Sequence, residues 1–465
     1  MDRATQLPLE GVRPSGGLYA PTIRHAWGVF YIINTLVDGK TKSGNFIITA
    51  TDPAGPWSEP YWLEDAPGFD PSLFFDEDGR TWYTGTRMAV QSRYEGHTEI
   101  WLQELDIAAM RLIGEKHILW DGALKIAIWA EAPHIYKING MYYLLIAEGG
   151  TAHEHAVTIA RSNNITGPYQ PHLRNPILTH RHLGLDYPIV GTGHGDLVDT
   201  PNGEWWMILL AMRPYDGYFY NLGRETFLAP VRWEEGWPVV SPGTGRVEFT
   251  YPIPDLPEQP WPVPAIRDDF DAPSLALQWN SLRTPAKEFI SLSERPGYLR
   301  LHLRPQRMSE QTTPSFIGRR QQHIHFKAQT ALEFKPQNED ECAGLVLQQN
   351  NSFYYMFVVC GGAVPVVRLI KRAHGVEEVL NEYAVISGRV TLKVTAHGQN
   401  YSFYFAENAG TWLCAAENLD GRILSTPVAG GFVGAFIGLY ASSNGMASTN
   451  HADFDWFEYE GMDEA

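Results

Sequence analysis

Glu131-Ala132-Pro133-His134-Ile135-Tyr136-Lys137-Ile138-Asn139-Gly140-Met141-Tyr142-Tyr143 opens with a polar residue beside a proline, runs through a short apolar stretch, turns at Asn-Gly and leaves on an aromatic doublet. Asn-Gly tolerates the positive φ that a tight hairpin needs, so the stretch reads as two antiparallel strands. The pattern recurs in Ala20-Pro21-Thr22-Ile23 with Gly28 and Phe30-Tyr31, and in Asp70-Pro71-Ser72-Leu73-Phe74-Phe75 with Gly79 and Trp82-Tyr83. A further copy is His194-Gly195-Asp196-Leu197-Val198 with Gly203 and Trp205-Trp206. Counted from Pro21, Pro71, Pro133 and Gly195, the copies stand 50, 62 and 62 residues apart, which is the spacing of propeller blades and not of a helical solenoid.

One such hairpin cannot bury its own face. Stacked radially, the hairpins cover one another and point the starts of their inner strands at a common axis, where this chain carries Asp70, Glu131 and His194. Connecting strands such as Asn45–Ala50 and Ala156–Ala160 each lead to a Gly-Pro-aromatic turn, Gly55-Pro56-Trp57 and Gly167-Pro168-Tyr169. Helical periodicity is nearly absent, so the fold class is all-β. The proline-rich run from Tyr251 to Pro264 cannot sit inside a sheet, because proline supplies no ladder donor. The expected organisation is a propeller domain over 1–250, a linker over 251–266 and a second domain over 267–465. Short runs such as Leu299–Leu303, Val390–Val394 and Phe436–Tyr440 suit a two-sheet β-sandwich, with Phe454–Tyr459 as a last strand beside the first.

A net charge of -17 argues against nucleic acid and anionic membranes as partners. Three cysteines without C-x-x-C spacing indicate neither a disulfide framework nor a zinc site. No run reaches membrane-spanning length and residues 1–20 lack a leader pattern, so a cytoplasmic protein is expected if Met1 is the true start. The 15 Trp, 22 Tyr and 21 Phe offer flat faces on which sugars stack, although most sit where they would fill the space between blades.

Two carboxylates around a concave polar site are the minimum for glycoside hydrolysis, one donating a proton to the leaving oxygen and one activating water or attacking. Glu131 lies among Trp129, Ala130, Ala132 and Pro133, and apolar neighbours raise a carboxyl pKa as a general acid requires. Asp70, between Phe69 and Pro71, is either part of the same site or the cap of a turn at the strand start. His194 can orient water, donate to a carboxylate or bind a cation, or simply be a satisfied structural histidine. Arg224 can hold a carboxylate or sugar hydroxyls, or pair locally with Glu225. His153-Glu154-His155 has metal-like spacing but no evident third ligand.

Taken together, Ser15-Gly16-Gly17-Leu18-Tyr19-Ala20-Pro21, Thr51–Trp57, Asp70–Phe75, Ile146–Gly150, Gly193–Val198, Gly223–Phe227 and Pro230–Trp233 resemble glycoside hydrolase family 43, in its two-domain β-xylosidase and α-L-arabinofuranosidase branch. The resemblance implies a five-bladed propeller, with about four blades in this chain, and an inverting mechanism. It implies Glu131 as general acid and Asp70 as the carboxylate that tunes its pKa. It further implies His194 as the axial histidine, Arg224 as a substrate-binding arginine, Phe69 as an aromatic at the sugar subsite, and Tyr19 where the family usually has Trp. Ala132 replaces a usual glycine. Phe436, in the sandwich, is the candidate for a ring contributed to the pocket, or else a buried strand phenylalanine. No cofactor or metal is expected, although calcium near the axial histidine occurs in parts of the family.

The family carries its base as an aspartate in a first blade upstream of the Gly-Gly-aromatic-Ala-Pro segment. Only nineteen residues precede Ala20, and Asp2 and Glu10 fall in the following connecting stretch. The expectation is therefore a chain lacking one blade and the general base, through a misassigned start or a true truncation. The reading favoured is a hydrolase of xylo-oligosaccharides or arabinose-substituted oligosaccharides, with a homo-oligomer possible in solution. The alternatives are a carbohydrate-binding remnant without turnover and a propeller hydrolase of fructans or arabinans.

Overall fold

The computed structural model describes residues 6–126, 128–284, 288–408 and 410–463. The chain forms two compact units: Gly16–Arg213 with Arg224–Gln259, and Pro214–Gly223 with the chain from Pro260 onward and the described residues before Gly16. None of residues 251–266 lies in a strand. The first part of that stretch is held on the first unit, where the Asp255 amide donates to Glu204 at 2.8 Å.

The first unit consists, among the described residues, of four antiparallel sheets in chain order. The first contains β1 (Thr22–Ala26), β2 (Val29–Val37) and β3 (Gly44–Ala50); the second β4 (Phe69–Phe75), β5 (Thr81–Met88), β6 (Thr98–Asp106) and β7 (Arg111–Trp120). The third contains β8 (Glu131–Ile138), β9 (Met141–Glu148) and β10 (Ala156–Ser162); the fourth β11 (Val190–Asp199), β12 (Trp205–Met212), β13 (Glu225–Glu234) and β14 (Trp237–Val240). The β8–β9 turn is built as its sequence demands, Asn139 and Gly140 both having positive φ, 51° and 77°.

Strand alternation sends successive side chains to opposite faces, so a sheet between two others packs on both. In β9, Leu144 and Ile146 join Trp82, Ile100 and Leu102 of the second sheet, while Tyr143 and Leu145 join Met207, Leu209 and Ala229 of the fourth. Tyr31, Ile33 and Ile47 pack likewise on Leu73, Tyr83 and Trp101. On faces away from these cores, Ile23 of the first sheet and the opposed pair Ile208 and Leu228 of the fourth are exposed.

The inner strands β4, β8 and β11 carry the same irregularity. Phe69 and Ser72 oppose Thr86 and Thr84, Glu131 and His134 oppose Ala147 and Leu145, and Gly193 and Asp196 oppose Leu210 and Ile208. Each thus inserts one extra residue, a β-bulge, and a left-handed residue follows the first paired position: Asp70 (φ 49°), Ala132 (φ 55°) and His194 (φ 48°). Ala132 is therefore the equivalent of Asp70 and His194, in the register that Pro71, Pro133 and Gly195 set, and Glu131 stands one residue earlier.

The second unit is a sandwich of an eight-stranded and a seven-stranded sheet. Its strands include β15 (His325–Glu333), β16 (Cys342–Asn350), β17 (Phe353–Cys360), β18 (Val366–Ala373), β19 (Arg389–His397), β20 (Phe436–Ser442) and β21 (His451–Gly461). Phe326, Leu345, Phe357, Leu392, Phe403 and Phe454 fill the space between the sheets. The last strand does lie beside the first, Arg267 facing Glu458. Residues before Gly16 belong here too, Glu10 accepting from the Thr313 hydroxyl at 2.8 Å, whereas Asp2 lies outside the described residues. Asn221, in the 214–223 excursion, is buried in this unit and donates to the Gly421 carbonyl at 2.9 Å. Among the described residues no helix is long and apolar enough to cross a membrane.

Candidate active site

The bulges gather the side chains of the first unit that the sequence singled out. Asp70 is buried on β4, and burial pushes its carboxyl up to about 7, with the Arg224 guanidinium partly offsetting this. Glu131, at the start of β8, is held well above the usual carboxylate range by burial first and by the Asp70 charge second, again opposed by Arg224. The three groups therefore share one electrostatic environment, and Glu131 retains its proton where an ordinary glutamate has lost it. Among the described residues Asp70 is the carboxylate whose charge raises Glu131. A non-glycine residue at positive φ costs of order 1 kcal/mol or more, and here that strain aims Asp70 inward.

Arg224 immediately precedes β13 and donates to the Thr151 hydroxyl at 3.1 Å. Glu225 binds Arg213, at 2.8 Å. His194 lies on the β11 bulge, and burial, followed by the neighbouring His155 and His134, holds its imidazole well below the usual histidine range. Tyr19 and Phe69 meet edge to face with centroids 6.3 Å apart, and Phe69 meets Trp129 at 6.2 Å. Tyr19 and Phe69 are thus joined in a row of edge contacts by Trp129. Phe436 lies in the second unit at the start of β20, under the Arg320 guanidinium at 4.7 Å.

The sequence reading passed over a second layer. Two residues beyond each bulge position stand Ser72, His134 and Asp196, again 62 residues apart. They meet with Arg24 of β1: Arg24 donates to Asp196 at 2.8 Å and to His134 Nδ1 at 3.0 Å, and Ser72 Oγ lies 3.2 Å from the same Nδ1. Tyr136 donates to the other Asp196 oxygen while accepting the Leu197 amide. Burial would raise Asp196, but His134, Arg24 and these hydrogen bonds bring it to about 2. All four sheets thereby contribute to one polar contact.

In His153-Glu154-His155, two of the side chains have partners elsewhere. His155 is fully buried, its Nδ1 3.1 Å from the Gly191 carbonyl, and Glu154 reaches toward Arg181. Among the described residues no cluster of three or more His, Cys, Asp or Glu side chains is placed to hold a metal ion.

Residues 1–238 match the model of glycosyl hydrolases family 43, which covers more than half of the chain. The chain belongs to glycosyl hydrolase family 43. Residues 267–460 match the beta xylosidase C-terminal concanavalin A-like domain. A xylosidase/arabinosidase of Butyrivibrio fibrisolvens is 45% identical over 99% of this chain and 89% of its own length. A non-reducing end alpha-L-arabinofuranosidase of Bacteroides ovatus is 39% identical over 100% of this chain and 85% of its own. The solved structure of xylan beta-1,4-xylosidase from Bacillus halodurans C-125 superposes with a TM-score of 0.92 at 34% identity, over 99% of this chain and 90% of that one. The all-β propeller and sandwich read from the repeats are thus the architecture of a glycoside hydrolase family whose members cleave O-glycosyl bonds.

Proposed function

We propose that this protein acts on short xylan-derived oligosaccharides, releasing a terminal xylose or arabinose by an inverting mechanism, with Glu131 as general acid and Asp70 as the modulator of its pKa. The observation that carries this reading is the raised Glu131 carboxyl beside Asp70 and Arg224. A protonated carboxyl at near-neutral pH is what the leaving oxygen of a sugar needs, since an alkoxide leaves poorly without a proton. Arg224 steadies the Asp70 charge and offers donors to sugar hydroxyls. Tyr19 and Phe69 present ring faces and edges to the pentose, and His194, kept neutral by burial, orients polar groups at the axis. We assign no cofactor, because acid, modulator and guanidinium supply proton and charge from side chains.

A second reading rests on a specific observation: among the described residues no carboxylate besides Asp70 raises Glu131, and Asp70 is itself buried. Acid and modulator would then lack a partner that activates water, leaving a carbohydrate-binding protein with little turnover; loss of a general base costs roughly two to four powers of ten.

Xylobiose and arabinose-substituted xylo-oligosaccharides, with and without azide as an external nucleophile, separate the two. Turnover without azide that Glu131→Gln abolishes supports the hydrolase. Turnover only with azide, or calorimetric binding without turnover, supports the second reading. Wild-type turnover by Glu131→Gln rules out Glu131 as the acid.

A further inference from the structure

Cys342 opens β16 and Cys360 closes β17, and the two residues oppose each other directly in the antiparallel pair. Beyond them the Gly361 amide donates to the Glu341 carbonyl at 3.0 Å. That bond makes Glu341 and Gly361 a hydrogen-bonded pair, so Cys342 and Cys360 form the adjacent non-hydrogen-bonded pair. In such a pair the Cα atoms stand about 4.5 Å apart with side chains close together, inside the span of roughly 4.4 to 6.8 Å that a disulfide bridges. Both residues are buried and both are free thiols.

We propose that Cys342 and Cys360 are a thiol-oxidation site, forming a reversible cross-strand disulfide that clips the β16–β17 ribbon of the sandwich.

The surroundings assign distinct roles to the two sulfurs. Cys342 receives a hydrogen bond from the Cys360 thiol and, at 3.5 Å, another from the Asn444 amide, with the Arg368 charge nearby. These contacts favour its thiolate and hold it below the usual thiol range, while donation to Cys342 and burial push Cys360 well up. Cys342 is therefore the attacking group. With a small-molecule disulfide such as glutathione disulfide as oxidant, the Cys342 thiolate attacks one sulfur, displaces one glutathione thiolate and leaves a mixed disulfide. Cys360 then gives up its proton and attacks the Cys342 sulfur, displacing the second thiolate. The protein loses two electrons and two protons, and one glutathione disulfide becomes two thiols. Closing the segment between residues 342 and 360 restricts the unfolded chain, so the oxidised form is the more stable. Cys414, exposed and away from this pair in sequence and register, serves as an internal control.

The full chain is incubated with glutathione disulfide and digested without reduction, free thiols are trapped and weighed, and melting is followed before and after dithiothreitol. The expected result is a linked peptide joining Cys342 to Cys360, loss of two of the three thiols, and a dithiothreitol-reversible rise in melting temperature of roughly 5 °C. Cys360→Ser should abolish the link and trap glutathione on Cys342. Modification confined to Cys414 with residues 342 and 360 still reduced would overturn the proposal. So would a 342–360 link that leaves the melting temperature unchanged or lower.

Discussion

Arg24 of the first sheet and Asp196 of the fourth, 172 residues apart in the chain, meet in a 2.8 Å ion pair that also engages His134 of the third sheet and, through it, Ser72 of the second. The side chains keep 23% and 32% of their surface exposed, so the pair is neither a solvent-screened surface bridge nor a sealed one.

Removing one charge should leave the other poorly compensated beside buried groups. Asp196→Asn is expected to cost about 2 kcal/mol of stability, read as a lower denaturation midpoint in urea. Replacing both charges together by Arg24→Met and Asp196→Leu should cost less than the sum of the single changes. Additive losses in that cycle would show that the pair does not couple the sheets.

The buried histidines of the first unit should contribute stability that acid removes. Burial lowers His134 and His155 to about 4 and His194 well below its ordinary value. Below pH about 6.5 the unfolded chain binds protons that these folded imidazoles refuse, so stability is full above that pH and falls as pH drops toward 4. Asp196, depressed to about 2, adds a further loss between about pH 4 and 2. Asp70 and Glu131, raised in the folded protein, act in the opposite direction as pH falls, so the histidine contribution is read as the urea midpoint of the wild type minus that of His155→Phe, which should fall from pH 7.5 to 4.5.

Neutralising Asp70 should lower the Glu131 pKa, because the Asp70 charge is one of the two causes that raise it. Asp70→Asn is thus expected to move the alkaline limb of any pH–rate profile to lower pH, or the carboxyl stretch of protonated Glu131 in infrared difference spectra if turnover is slow. Arg224→Met should act in the opposite direction on both carboxyls. A shift upward in Asp70→Asn would contradict the assigned coupling.

Gly193 has no room for a side chain. A Cβ there would stand 2.4 Å from the His155 ring, which is itself fully buried. Gly193→Ala must displace either that ring or the β11 bulge carrying His194, at a cost of about 1 to 3 kcal/mol. The check is a lower melting temperature together with weaker xylose binding; restored binding in Gly193→Ala with His155→Ala would identify the ring as the obstacle.

Much of the site was legible because it follows the repeat. Asp70, Glu131 and His194 were found from their place at strand starts, and the structure puts Asp70 and Glu131 within reach of the Arg224 charge. Glu131 stands one residue before the position equivalent to Asp70 and His194, as the interval through Pro71, Pro133 and Gly195 has it, whereas the bulge itself is revealed only by strand pairing. Ser72, His134 and Asp196 did carry a signal, the same 62-residue interval two positions further on, but their chemical types differ and suggest no common role. Trp129 had no signal beyond its closeness to Glu131.

By itself the sequence determined an all-β chain, four hairpin repeats, a proline-rich break and a second β domain, because hydrophobic alternation and turn residues act over a few neighbours and are written in order. Only the tertiary structure decided that Arg24 meets Asp196, that His155 lies against Gly193, that Cys342 faces Cys360, and that Glu131 holds its proton. Those outcomes depend on distance and desolvation between residues far apart in the chain, which local pattern does not encode and only the stacking of the sheets supplies.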